Sequence, residues 1–168
     1  MKTTRRLVLA FIAGMALIAA APQVLSQQKD FKKQVVGEWT IVSSYNERDG
    51  KKTENFGPRP EGFMYLGRSG RLAYIVFAKD APNFAGKERV KATPDEAAAV
   101  LRNSIAYYGT YKLNEKDGTM EWNIEHSTFP NNRGPAKRSV KLSGDTMTMT
   151  NPGAMAGGMN VVTWKRAK

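Results

Sequence analysis

The 168-residue chain contains no cysteine and a single histidine, His126. Without thiols there is no disulfide framework, no thiolate-held zinc or iron–sulfur cluster, no cysteine nucleophile and no acylated cysteine anchor. With one imidazole, a centre built on several histidines is excluded, and neither a metal site nor a cofactor is expected. Acidic residues are scarce too: 15 Asp plus Glu stand against 26 Lys plus Arg, a formal net charge of +11. Strand–helix–strand alternation is missing, which rules out a doubly wound sheet. What is present is 41% hydrophobic and 10% aromatic residues, enough to build the core of one compact domain at this length.

The one long apolar run lies at the amino terminus. Lys2, Arg5 and Arg6 precede a stretch from Leu7 to Ala21, and Val24 and Ser26 occupy the small-residue positions of a cleavage site before Gln27. This is the pattern of a secretory signal peptide over residues 1–26. The stretch falls short of the ~20 residues of a spanning helix, so residues 27–168 are expected to form one soluble domain in the periplasm or outside the cell. Arg5 and Arg6 followed by Leu7-Val8-Leu9 also resemble a twin-arginine signal, which leaves two export routes open. Cleavage removes Lys2, Arg5 and Arg6 and no acid, so the remainder carries +8. Its basic residues are scattered in pairs, such as Lys32-Lys33, Lys51-Lys52 and Lys165-Arg166, rather than gathered in one stripe. Scatter and export together argue against a nucleic-acid partner.

Short runs rich in Val, Ile, Thr, Tyr and Trp recur through residues 27–168, with turn residues between them. Eight strands are expected: Gly37 to Tyr45, Gly62 to Leu66, Arg71 to Ala78, Gly109 to Leu113, Met120 to His126, Arg138 to Leu142, Thr146 to Thr150 and Val161 to Lys165. Tight turn signals at Asp49-Gly50, Ser69-Gly70, Asp117-Gly118 and Gly144-Asp145 make consecutive strands antiparallel neighbours. One helix is expected from Pro94 to Ser104, between the third and fourth strands. Thr93 is its N-cap, Pro94 its first residue and Glu96 the partner of a capping box, with Ala97, Leu101 and Ile105 recurring every four residues. The fold class is therefore all-β, either a closed barrel or a sandwich.

Several segments carry a resemblance to a known family. Gly37-Glu38-Trp39 is similar to the Gly-x-Trp signature of the lipocalins. With Phe56-Gly57-Pro58, Thr93-Pro94-Asp95-Glu96, Ala106-Tyr107-Tyr108-Gly109, Phe129-Pro130-Asn131 and the closing Val162-Thr163-Trp164, the chain resembles the bacterial lipocalin-like domain family over nearly all of residues 30 to 166. The resemblance implies an eight-stranded antiparallel lipocalin-like barrel; the partner expected from the residues of its inner face is a small hydrophobic or amphipathic ligand. It implies little about activity, because such barrels host binders and a few enzymes alike. The chain departs from typical secreted lipocalins in having no disulfide and in its mid-chain helix.

Alternation assigns an inner face. If Trp39 points in, Ile41, Ser43 and Tyr45 share its side; so do Met120, Trp122, Ile124 and His126 on another strand, leaving Glu121, Asn123 and Glu125 outside. Trp39 reads as a packing residue of the barrel floor, covered by Arg166. The expected ligand-binding residues are Tyr45, Tyr74, Tyr111, Trp122, His126 and Arg138, a mixture suited to a mostly apolar ligand with one polar or anionic end. Trp122→Ala should then weaken binding and leave the fold intact. His126 has three readings: a structural histidine, a polar group of the cavity, or the acid or base of an isomerase or cyclase. Arg138 either meets an anionic head group or extends to the rim. Met147, Met149, Met155 and Met159 read as core filling or as soft ligands for Cu(I). A filled barrel serving as an envelope structural module is the remaining reading, and the oligomeric state is left open.

Overall fold

The computed structural model describes residues 31–154 and 157–168. The expected signal peptide and Met155 lie outside them. Nine strands form one antiparallel sheet: β1 (Gly37–Arg48), β2 (Lys51–Glu54), β3 (Pro60–Leu66), β4 (Arg71–Ala78), β5 (Ser104–Asn114), β6 (Thr119–Ser127), β7 (Gly134–Ser143), β8 (Thr146–Asn151) and β9 (Met159–Arg166). β1 pairs with β3 along Gly37–Thr40 and with β9 from Trp39 to Glu47, so eight strands close into a ring. Closure decides between barrel and sandwich, and it removes the free edges that an open sheet would present.

The ninth strand corrects the expected count and order. β2 pairs only with Tyr45–Arg48 of β1 and lies outside the ring. Its four residues are all exposed, so it has no apolar alternation to reveal it; the Asp49-Gly50 turn, with both residues at positive φ, folds it back by local geometry alone. Because β2 takes second place, the helix Pro94–Asn103 falls between the fourth and fifth strands, not between the third and fourth. Its N-terminus is as the sequence predicts. Thr93 Oγ1 accepts from the Glu96 amide at 3.3 Å, and Glu96 Oε2 accepts from the Thr93 amide at 2.7 Å. Glu96 Oε1 also accepts from the Ala85 amide at 2.7 Å, which ties the preceding loop to the helix. These backbone donors hold the Glu96 carboxyl below its ordinary value.

One end of the barrel is shut. Residues 31–35 are helical and lie across it. Val35 is fully buried there, and its carbonyl accepts from Trp39 Nε1 at 2.9 Å. The Arg166 guanidinium lies 4.3 Å from the Trp39 ring centroid and donates to the carbonyls of Val36 and Gln34. Trp39, Met64, Leu66, Leu72, Met120 and Met147 fill the space below. The Trp39–Arg166 pair is as expected, and Met147 and Met149 occupy the core, whereas Met159 reaches the surface.

Two β-bulges reset the alternation on which the inner face was predicted. In β1, Ile41 pairs with Trp164 but Ser43 pairs with Thr163, so Val42 is an extra residue and the parity of the strand changes. In β6, His126 pairs with Tyr108 but Ile124 pairs with Gly109, which makes Glu125 the extra residue. Gly109 is what lets β5 approach at this point. A Cβ there would lie 2.0 Å from the Asn123 carbonyl oxygen.

Candidate functional site

The end opposite the shut floor opens into a cavity of about 600 Å³. Its walls come from β1, β4, β5, β7, β8 and β9, from Asn55 and Phe56 after β2, from Leu101 and Arg102 on the helix, and from the segments 129–133 and 153–154. Apolar contact is offered by Phe56, Tyr74, Leu101, Ile105, Phe129 and Ala136. Six asparagines, Asn46, Asn55, Asn131, Asn132, Asn151 and Asn160, also line it. Some of these are locked together: Asn160 Nδ2 donates to Asn46 Oδ1 at 3.1 Å, and Asn55 Nδ2 donates to the buried Ser44 hydroxyl at 3.0 Å. A concave site of this size, apolar with a few placed polar groups, is the usual form of a small-molecule site.

At its deep end the cavity meets a smaller recess of about 30 Å³, bounded by Trp122, Trp164, Met149 and Val162 and sharing Tyr74, Tyr107, Arg138 and Asn160 with the larger space. Tyr74 and Tyr107 stack with centroids 4.5 Å apart and planes 10° from parallel. Tyr74 meets Trp164 edge-on at 5.1 Å, and Tyr107 leans on Trp122 at 5.8 Å. The half-buried Arg138 guanidinium lies 5.0 Å from the Trp122 ring centroid. Burial drives the hydroxyls of Tyr74 and Tyr107 well above the usual tyrosine range; for Tyr107 the neighbouring Tyr74 adds to the rise, and Arg138 opposes it for both. Both phenols are therefore neutral hydrogen-bonding groups at any ordinary pH.

Of the six residues predicted to line the cavity, Tyr74, Trp122 and Arg138 come together there. Tyr111 is inside the barrel but lower, where its hydroxyl donates to the Gly67 carbonyl at 2.8 Å as part of the packing. Tyr45 and His126 are corrected. The Val42 bulge turns Ser44 and Asn46 inward, and Tyr45 faces out beneath Lys52, whose Nζ lies 4.8 Å from the ring centroid. Ser43, predicted inward, pairs with Thr163 on that outer side. The Glu125 bulge does the same to His126, which is exposed and leans on Tyr108 with centroids 5.5 Å apart. Beside it, Glu125 pairs with Arg71 at 2.6 Å. A general acid or base inside this barrel would have to be a residue other than His126.

Trp122 is only 3% exposed within the aromatic cluster, so Trp122→Ala strikes the core as well as the cavity and does not separate binding from folding. Sequence reasoning missed Tyr107 and the asparagines. For Tyr107 a signal existed, since stepping back by two from Tyr111 through Gly109 reaches it. For the asparagines none did, because polar residues on a strand read as outward-facing. Nor is the barrel uniformly filled or hollow: one half is packed solid and the other holds the cavity.

The closed antiparallel ring with one shut floor and one ligand-sized mouth defines a barrel of the lipocalin type. The chain belongs to the lipocalin-like domain family, whose match runs over residues 36–167 and takes in all nine strands. No curated protein matches it.

Proposed function

We propose that this protein is an exported lipocalin-like carrier or sensor that holds a small, largely apolar molecule in the open half of its barrel. The observation that carries the reading is the cavity of about 600 Å³, walled by aromatic and aliphatic side chains and set on a rigid ring of strands. Burying apolar surface in such a space stabilises a complex without any reactive group. The amino-terminal pattern of Lys2, Arg5 and Arg6 followed by Leu7 to Ala21 supports export. Protein recovered from an envelope or secreted fraction is expected to begin at Gln27; an intact Met1 terminus would remove export from the proposal.

Ala136 is half-buried on the inward face of β7 and lines the cavity beside Trp122. Ala136→Phe should occupy the space with little change in the wall. The expected result is loss of binding of a neutral naphthylamine dye while the circular dichroism and unfolding midpoint stay near those of the parent. Undiminished dye binding in a folded Ala136→Phe variant would place the ligand elsewhere.

A further inference from the structure

We propose that the recess at the cavity's deep end is a binding site for a single carboxylate, so that the ligand is an apolar monocarboxylic acid held acid-end inward. This rests on the reading of the cavity as a ligand site and specifies its chemistry.

The recess gathers several donors and, in its described lining, no carboxylate. Trp122 Nε1 and Trp164 Nε1 are both buried and have no hydrogen-bond partner among the described residues, and both tryptophans border the same 30 Å³ recess. An indole N–H can only donate, and leaving such a group unpaired in a protein interior is costly. Two such unpaired donors on residues that border one recess favour an acceptor there. Arg138 borders the same recess. Its Nη1 donates to the Lys137 carbonyl at 3.0 Å and the guanidinium also hydrogen-bonds the Tyr107 hydroxyl, which leaves others of its five donors for a ligand. Among the described residues, none of the ion pairs involves Arg138. Neither the recess nor the larger cavity has an aspartate or glutamate in its described lining. The positive charge at the base is thus unmatched by the protein itself.

Size and charge select among anions. The recess admits a group of one or two oxygens, and it is served by one guanidinium. The other arginines of the lining, Arg102 and Arg133, are exposed at the mouth, and Lys137 is directed to Asp117 at 3.9 Å. One half-buried guanidinium beside aromatic donors suits a planar, singly charged carboxylate; a phosphate monoester would bring a second charge with no partner in the recess. The chain or ring of the acid then extends past the Tyr74–Tyr107 stack toward Ile105, Phe56 and Phe129.

The test compares decanoate, decan-1-ol and decyl phosphate by displacement of the neutral dye and by calorimetry on the purified protein at neutral pH. Decanoate is expected to bind roughly 10- to 100-fold more tightly than decan-1-ol, the worth of a charge-assisted hydrogen bond. Arg138→Gln should erase that difference, bringing decanoate down to the affinity of decan-1-ol. Arg138→Lys should keep part of the difference, and Arg133→Gln at the mouth should keep all of it. Equal affinity for acid and alcohol in the parent overturns the carboxylate site, whether or not the Arg138 variants fold, and so does a preference that survives Arg138→Gln. Decyl phosphate binding more tightly than decanoate overturns the single-charge assignment. These failures leave the cavity reading standing, whereas failure of dye and decan-1-ol alike to bind removes both.

Discussion

The two ends of this barrel are built from the same strands and are opposite in character. At the shut end, Trp39, Met64, Leu66, Met120 and Met147 are fully buried, and the only polar group of the Trp39 side chain is satisfied by the Val35 carbonyl. At the open end, inward positions on those strands carry Ser44, Asn46, Arg138, Asn151 and Asn160, and space is left unfilled. A strand that is apolar at one end and polar at the other along the same face is thus divided between two tasks. Its buried part supplies stability, and its polar part supplies a site whose unpaired groups would be a liability in a molecule selected for packing alone.

The division can be broken most forcefully at the floor. Trp39→Ala removes a fully buried ring together with its Arg166 cover, and a loss of about 3–5 kcal/mol is expected in chemical denaturation. A loss below ~1 kcal/mol would mean that the shut end is not where stability resides.

The boundary between the two ends can be probed with alkali. The hydroxyls of Tyr74 and Tyr107 are raised by burial, so the folded barrel keeps its protons where the unfolded chain would release them. Their contribution to stability is fully present below the ordinary tyrosine value of about 10 and is lost as pH rises past it. Absorbance of tyrosinate, followed with circular dichroism, should show these phenols ionising only together with unfolding. Complete ionisation of every tyrosine in a still-folded protein would show the boundary to be wet. The smallest effect is expected at the mouth. Ile105→Ala, at a half-buried position on the cavity wall, should cost about 1 kcal/mol of stability, yet it should weaken dye binding. Equal costs for Trp39→Ala and Ile105→Ala would erase the contrast between the ends.

Most of the shut end was legible in the sequence. Gly37-Glu38-Trp39 and the alternation of Trp164 with Arg166 predict a capped floor, and Thr93-Pro94-Asp95-Glu96 predicts the helix start that is found. The open end was legible only where a strand kept its period. Tyr74, Trp122 and Arg138 were placed correctly by alternation, whereas Tyr45 and His126 each lie beyond a bulge, and one extra residue moves every later side chain to the other face. At Glu125 the bulge had a clue in the facing Gly109, which has no side chain to obstruct the displaced backbone. At Val42 no residue of special conformation stands nearby to announce it. β2 was invisible for a third reason: a strand paired on one side and solvated on both faces needs no hydrophobic pattern.

Ring closure between β1 and β9 has a kinetic consequence. Tyr45 and Asn160, joined across that seam, are 115 residues apart in the chain, so the first strand cannot obtain its second neighbour until the last one has been made and delivered. The intervening hairpins can form from local contacts, but the seam must close a loop spanning most of the domain, and pairings of such long range slow folding. Until then, β1 has an open edge and the floor lacks the Arg166 that covers Trp39. Synthesis from the amino terminus therefore leaves the barrel incomplete until Arg166 has been made.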